Sequence, residues 1–214
     1  MEEIDIFDAD LRSIGKKERR QAHFDGDWHV TFHLWVVGRV NSGSVLYQWR
    51  SNEMENFPDM LDVSAAGHIL SGESMKDGIR EAEEELGITF NSEKLHKLGY
   101  RVEVADQKNG QKNREYQGVH MYEVETGLGE FQPQVEEVSG LYWINIREGI
   151  ELFTGERDEV QAKGVFYDPK QEAWLESERT FSKDKFLPRI QNYYLTAHIM
   201  AERLLEGKLP LSIS

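Results

Sequence analysis

The chain has 214 residues, a formal net charge of −14 at pH 7 and no cysteine. This length suits one well-buried core, and the lack of cysteine excludes disulfides, thiolate metal sites and a cysteine nucleophile. The acidity argues against a nucleic acid or an anionic membrane as the main partner, and the acidic first residues, with no long apolar run, favour a cytoplasmic protein.

The first half of the chain predicts three strands. Apolar and β-branched residues indicate a hairpin formed by Val30–Val37 and Ser44–Trp49, around a turn at Asn41-Ser42-Gly43. A short strand is predicted at Leu61–Ala66. It leads directly into a loop that is punctuated by glycines.

A helix is predicted after this loop. Ser74 is a suitable N-cap with Asp77 three residues later, and Gly87 stands where helices often end in a left-handed residue. Apolar residues form one stripe, which comprises Met75, Ile79, Ala82 and Leu86. Acidic residues follow the same spacing on nearly the opposite side, at Asp77, Glu81, Glu84 and Glu85.

Further strands follow this helix. A second hairpin is predicted from Lys97–Val104 and Glu115–Val124, and one more strand from Leu141–Ile146. Strands arranged around one central helix indicate a mixed α/β (α+β) domain that covers residues 1–150.

Residues 151–214 are predicted to form an aromatic-rich segment and a helix that pack on the same domain. The helix runs from near Pro188, a good first-turn residue, to Leu205, with Gly207 as its stop. Its apolar stripe comprises Ile190, Tyr194, Ala197, Ala201 and Leu204. Packing on the domain is the simplest role for this stripe; a wall of the substrate pocket or a contact in a homodimer are the alternatives.

The glutamates near the end of the first helix indicate a metal site. Acidic residues in a last turn oppose the helix macrodipole, which favours cations there. Carboxylates this close also raise one another's pKa values unless cations neutralise them. Oxygen-only ligands suit a hard ion such as Mg²⁺ or Mn²⁺, and such an ion would attract a polyphosphate. A solvated acidic helix face is the alternative.

The segment Gly67–Ile88 resembles the Nudix box, which reads Gly, five residues, Glu, seven residues, then Arg-Glu-apolar-x-Glu-Glu-x-Gly-apolar. The matching residues are Gly67, Glu73, Arg80, Glu81, Ala82, Glu84, Glu85, Gly87 and Ile88. This chain departs from the motif in having six residues between Glu73 and Arg80. The spacing of the later carboxylates is intact.

The resemblance implies a three-layer α/β/α sandwich with a C-terminal helical extension, and a metal-dependent pyrophosphate hydrolase. It also implies the metal ligands, which would be Glu81, Glu84, Glu85 and the backbone carbonyl of Gly67. Arg80 would orient the glutamates. Glu73 would brace the loop, and Gly87 would end the helix.

A hydrolase also needs a base to deprotonate the attacking water. The box glutamates Glu81 and Glu84 are one source of this base. The pair Glu136 and Glu137, in a later loop, is a second source, and Glu115 is a third. Glu137 is preferred within the pair because valines flank it and one of the two acids must face the site. A solvated pair of loop charges is the alternative.

Three histidines extend the resemblance to the isopentenyl diphosphate isomerase branch of the Nudix superfamily. They stand in the segments Ala22-His23, His29-Val-Thr-Phe-His-Leu-Trp35 and Ala66-Gly67-His68. In those isomerases three histidines at corresponding places, with later acidic residues, hold a divalent metal, and Glu115 falls near one of those acids. The resemblance therefore implies a second metal site of His23, His29, His68 and Glu115, for Mn²⁺, Zn²⁺ or Mg²⁺. Alternatively, each imidazole donates to a backbone carbonyl or packs against nearby aromatic rings.

The residue at position 66 separates a hydrolase from an isomerase. The isomerase moves protons on carbon with a cysteine directly before Gly-His, and this chain has Ala66 there, whose methyl group cannot transfer a proton. We therefore predict an isomerase-like Nudix hydrolase, acting on a nucleoside diphosphate derivative or a related organic diphosphate. A module that senses a nucleotide without cleaving it is the alternative, which the intact carboxylate cluster disfavours. Variable loops select the group attached to the diphosphate, so the substrate stays open.

Overall fold

A large β-sheet with helices on both faces forms the protein, which we describe from a computed structural model covering residues 2–125 and 127–213. The strands are β1 (Glu3–Phe7), β2 (Ser13–Glu18), β3 (Trp28–Gly38), β4 (Ser44–Arg50), β5 (Leu61–Asp62), β6 (Ala65–His68), β7 (His96–Asp106), β8 (Lys112–Val124), β9 (Val138–Asn145), β10 (Glu159–Asp168) and β11 (Ala173–Ser182). The helices are α1 (Arg19–Asp25), α2 (Ile79–Leu86), α3 (Ile146–Thr154) and α4 (Tyr193–Leu205). None of the helices in these ranges is long and apolar enough to cross a membrane.

Strand β3 is the centre of the sheet because it changes partners along its length. At its C-terminal end it meets β4 through only two residue pairs, Val37–Val45 and Gly38–Ser44. Nearer its start, antiparallel β6 pairs with it and parallel β8 runs along it. The divergence of β3 from β4 leaves room for β5, which pairs with β4, and for β6. These two short strands bring the chain to the box loop.

The alternation of side chains along β3 fills two separate cores. Trp35 and Val37 pack on one side with residues of α3 and α4, whereas Leu34 and Val36 pack on the other side with residues of α2. All four side chains are fully buried, which is why the strand is a continuous apolar run rather than an alternating one. The predicted three-layer α/β/α arrangement with a C-terminal helical extension is confirmed.

The predicted strands are present, with changes at their ends. Strands β7 and β8 form the predicted second hairpin, and the first turn uses the left-handed Asn41 (φ 50°) and Gly43 (φ 114°). The single strand predicted at Leu61–Ala66 is instead the two strands β5 and β6. It divides because the chain leaves β4 and joins β3 between Asp62 and Ala65.

The prediction that Ser74 caps the box helix is wrong, since α2 begins at Ile79. The hydrogen bonds run the other way: the Asp77 carboxylate accepts from the backbone N–H and the hydroxyl of Ser74, both at 2.7 Å. Gly78 precedes the helix and packs closely on the sheet, where a Cβ atom would lie 2.7 Å from the Cβ of Phe32. The predicted end at Gly87 is confirmed by its left-handed conformation (φ 62°).

The C-terminal helix begins at Tyr193, not near Pro188. The preceding segment is held extended against β5, because the N–H of Leu187 donates to the carbonyl of Leu61 (2.8 Å) and the Arg189 guanidinium donates to Asp62 (2.6 Å). Ile190 therefore lies outside the apolar stripe and is 60% exposed. The predicted helix end at Leu205 is confirmed.

Several elements have no clear pattern in their sequences. The β1–β2 hairpin, α1 and α3 were not predicted, and the aromatic-rich segment contains the β10–β11 hairpin. Strand β11 carries polar or charged residues at most positions and Phe181 is its one buried residue, so its alternation is weak. Strand β10 also pairs with β9, and the sheet therefore continues into the segment after residue 150.

Gly149, inside α3, gives a test of the packing between α3 and α4. Glycine in a helix interior usually costs about 1 kcal/mol relative to alanine, so Gly149→Ala would ordinarily stabilise the protein. Here a Cβ atom would overlap the buried His198 imidazole of α4. We expect Gly149→Ala to lower the free energy of unfolding by about 1–3 kcal/mol in urea denaturation.

The matched control is Gly127→Ala, at an exposed residue with no heavy atom within 4 Å of the added Cβ. It should change the free energy of unfolding by less than about 0.5 kcal/mol. A Gly149→Ala protein at least as stable as the wild type would contradict this account of the helix contact.

Candidate active site and histidine cluster

Glu73 braces the loop between β6 and α2. Its carboxylate accepts a hydrogen bond from the backbone N–H of Leu70 (2.9 Å) and forms an ion pair with Arg80 (3.2 Å). The N–H of Ser71 donates to the carbonyl of Glu3 (2.8 Å), which ties the same loop to β1. The shorter spacing before Arg80 thus leaves Glu73 within reach of the helix.

Arg80 gathers the box carboxylates from the first turn of α2. Besides Glu73, its guanidinium binds Glu81 (2.9 Å) and Glu84 (3.2 Å). A guanidinium has five donors and no acceptor, so it can serve several carboxylates at once. One positive charge nevertheless faces three negative ones, and the cluster keeps an excess of negative charge.

Glu81 lies against the glycine that opens the box. A Cβ atom on Gly67 would overlap the carboxyl group of Glu81, so this close approach requires glycine. Burial raises the pKa of Glu81; the Arg80 charge opposes this shift and the Glu84 charge adds to it. The Glu81 carboxylate and the Gly67 backbone are therefore neighbours in a partly desolvated site.

Glu85 is the most buried acid of the box, with 6% of the residue exposed. One carboxylate oxygen accepts from the N–H of Ala66 (3.2 Å) and from the side-chain amide of Gln48 (3.3 Å). Burial raises the pKa of Glu85 well above its usual value, and the negative charge of Glu137 raises it further. Glu137 is thus close enough to act on the box helix, whereas Glu136 is exposed.

The predicted second set of ligands comes together on the other face of β6. Adjacent residues of a strand point to opposite faces, so His68 lies on the face opposite Gly67. His23, His29, His68 and Glu115 each offer one ligand atom, and these four atoms all lie within 4.8 Å of one another. We call them the His–Glu quartet. Among the described residues the box carboxylates do not reach this spacing.

The hydrogen bonds of the quartet orient the imidazole of His29. His29 Nδ1 donates to the carbonyl of Asp27 (2.9 Å), which leaves the lone pair on Nε2. In the part of the chain that the structure covers, this buried Nε2 has no hydrogen-bond partner, and it lies 3.9 Å from Glu115 Oε1. The Nε2 atoms of His23 and His68 are 3.0 Å apart. A buried atom without a partner is costly, and a divalent cation would supply one.

Lowered pKa values keep His23 and His68 in their neutral form. Burial lowers the pKa of His23 to about 4; a charge on His29 would lower it further, and Glu115 opposes the shift. Burial also lowers the pKa of His68 well below its usual value, and the Arg19 charge adds to this effect. Neutral imidazole is the form that binds metals, so three nitrogens and one carboxylate fit Mn²⁺ or Zn²⁺.

Two hydrogen-bond donors to the candidate ligands were not found from the sequence. Gln48 donates to Glu85, and Gln117 donates to Glu115 at 2.6 Å. The only available signal was a polar residue within an otherwise apolar run, such as Gln48 among Val45–Trp49. That signal shows a buried polar group and does not reveal its partner.

Comparison with known proteins places the sequence in a family. The sequence matches the NUDIX domain family over residues 14–185. An uncharacterized Nudix hydrolase of Clostridium acetobutylicum is 37% identical over 194 residues, which cover 89% of this chain and 92% of that protein. An isopentenyl-diphosphate Delta-isomerase of Burkholderia multivorans is 25% identical over 156 residues, which cover 72% of this chain and 84% of the isomerase.

A solved structure supports the fold. The crystal structure of a Deinococcus radiodurans protein superposes with a TM-score of 0.55 at 18% identity, covering 72% of this chain and 90% of that one. Nudix hydrolases act on substrates that contain a diphosphate and usually need a divalent metal. The domain match over residues 14–185 and the 37% identical relative show that this chain belongs to the Nudix hydrolase family.

Proposed function

We propose that this protein hydrolyses the diphosphate linkage of a nucleoside diphosphate derivative or a related organic diphosphate, with Mg²⁺ or Mn²⁺. The observation that carries the proposal is the contact of Glu81 with Gly67 and of Glu85 with the N–H of Ala66, while Arg80 pairs with Glu81 and Glu84 on the same helix. The raised pKa values of Glu81 and Glu85 mark carboxylates that a further cation would stabilise.

The proposed metal ligands are Glu81, Glu84, Glu85 and the carbonyl oxygen of Gly67. A metal bound there supplies positive charge to the phosphate oxygens and lowers the pKa of water. Arg80 orients the glutamates through its ion pairs, and Glu73 holds both Arg80 and the loop. The all-oxygen donor set is the one that Mg²⁺ and Mn²⁺ prefer.

Glu137 is the proposed general base. It is half-buried and its charge acts on Glu85, so it lies beside the box rather than in bulk solvent. Its role is to take the proton of the attacking water while Arg80 and the glutamates hold the site in place. Glu81 and Glu84 are the other candidates for this role.

The box carboxylates give the first test of this function. We expect Glu84→Gln to lower kcat by about 10²–10⁴-fold, because Gln keeps the shape of the side chain and removes the charge that would bind the metal. Activity is measured with Mg²⁺ and with Mn²⁺ on nucleoside diphosphate derivatives, dinucleoside polyphosphates, nucleotide sugars and prenyl diphosphates.

Glu83→Gln is the matched control on the same helix. Glu83 accepts a hydrogen bond from the N–H of Phe90 (2.9 Å), and Gln can still accept it, so kcat should be unchanged. Equal activity of Glu84→Gln and the wild type would refute the ligand assignment. Binding of one of these substrates without metal-dependent turnover would favour the nucleotide-sensing alternative.

Ala66 gives a second test, which separates hydrolase from isomerase. The register of β3 and β6 pairs Ala66 with His33, and a methyl group offers no proton to a double bond. Incubation with isopentenyl diphosphate and either metal should yield no dimethylallyl diphosphate by phosphorus NMR. Formation of that isomer would place the enzyme in the isomerase branch instead.

We also propose that the His–Glu quartet binds a second divalent ion. The partnerless His29 Nε2 and the 4.8 Å spacing of four donors support this assignment. The two proposed metal sites lie on opposite faces of β6, and their ligands differ: oxygen only at the box, mainly nitrogen at the quartet. Zn²⁺ should therefore prefer the quartet.

If the quartet binds a second ion, replacing one of its histidines should remove Zn²⁺ binding there. His29→Ala should abolish one class of Zn²⁺ binding in isothermal titration calorimetry and leave Mg²⁺ or Mn²⁺ binding at the box unchanged, because His29 supplies a ligand only to the quartet. Glu84→Gln should have the reverse effect. Unchanged Zn²⁺ binding in His29→Ala would show that the quartet is a packing cluster.

A further inference from the structure

A glutamine amide holds the acidic member of the quartet. Gln117 Nε2 donates to Glu115 Oε2 (2.6 Å), and the other oxygen, Oε1, is the one that lies 3.9 Å from His29 Nε2. Gln117 is fully buried. Solvent therefore cannot replace this hydrogen bond, and one carboxylate oxygen is held while the other faces the imidazoles.

The direction of the Gln117 amide is fixed by its two neighbours. Arg101 Nη1 donates to Gln117 Oε1, and an arginine can only donate, whereas an ionised carboxylate can only accept. The amide must therefore turn its oxygen to Arg101 and its nitrogen to Glu115. Cross-strand register supports the arrangement, since Arg101 is paired with Gln117 and Glu103 with Glu115 on β7 and β8.

Arg101 is in turn anchored by the C-terminal segment. It forms an ion pair with Glu103 (2.7 Å), which also lies 3.6 Å from Arg189 Nη1. The Tyr193 ring covers the Arg101 guanidinium at 4.3 Å. These side chains are buried, so the path from Arg189 to Glu115 is shielded from water, and low local dielectric strengthens its hydrogen bonds.

We propose that Gln117 is a positioning residue for the His–Glu quartet: it presents Glu115 Oε1 to the metal, and Arg101 sets its orientation. This inference rests on the proposed second metal site. Carboxylates that bind metals are commonly held by such hydrogen bonds, and losing one typically weakens metal binding about 10–100-fold. If Gln117 had only a structural role, replacing it would lower the stability of the fold and weaken metal binding at both sites alike.

Two variants test this role. Gln117→Met keeps the length of the side chain and removes both hydrogen bonds, whereas Gln117→Asn keeps the amide but is one methylene too short to span Arg101 and Glu115. We expect both to weaken Zn²⁺ binding at the quartet about 10–100-fold by calorimetry. Mg²⁺ binding at the box should be unchanged, and the visible spectrum of bound Co²⁺ should shift because its ligand geometry changes.

The control for losing a hydrogen bond elsewhere in the sheet is Tyr142→Phe, which removes the partly buried bond from Tyr142 to Ser177 (3.2 Å). It should leave Zn²⁺ affinity unchanged. Wild-type affinity at the quartet in both Gln117 variants, or equal weakening at the quartet and the box, would overturn the positioning role while leaving the second metal site standing. A wild-type protein with no Zn²⁺ at the quartet would overturn both, and turnover that depends on Glu84 would still support the hydrolase.

Discussion

Negative charge that is only partly neutralised is the constraint on which the organisation of the site depends. Arg80 binds three carboxylates, yet Glu85 is buried beyond its ion pairs and is held by hydrogen bonds from Ala66 and Gln48. Burying a carboxylate without an opposite charge is unfavourable. The fold tolerates the arrangement because the sheet supplies donors to Glu85.

Strand β6 organises both candidate sites although it is only four residues long. Its glycine lets Glu81 approach the backbone, its next residue, His68, joins the quartet, and the N–H of Ala66 binds Glu85. The strand can do this because β3 and β4 separate and admit it between them. The position of one short strand thus determines the distance between an oxygen-rich and a nitrogen-rich group.

The sequence predicted the features that local chemistry determines. The apolar strands and the end of the box helix at Gly87 were identified from local patterns. The members of the quartet were implied by the resemblance to the isomerase branch, and the structure brings them together. Features that depend on distant contacts were missed. The start of α4 depends on the ion pair between Arg189 and Asp62, which are far apart in the chain. The orientation of Gln117 depends on Arg101 across the sheet.

The turns before α2 and the strand β6 differ in how well they tolerate a change in length. The residues between Glu73 and Ile79 form turns, and this stretch can lose one amino acid while Glu73 still binds Arg80. A single insertion or deletion inside β6 would instead move the side chains on one side of it to the opposite face, which would change the environment of Gly67 or His68. Relatives should therefore differ in length in the turns before α2 more often than inside β6, where one insertion or deletion would alter at least one candidate site.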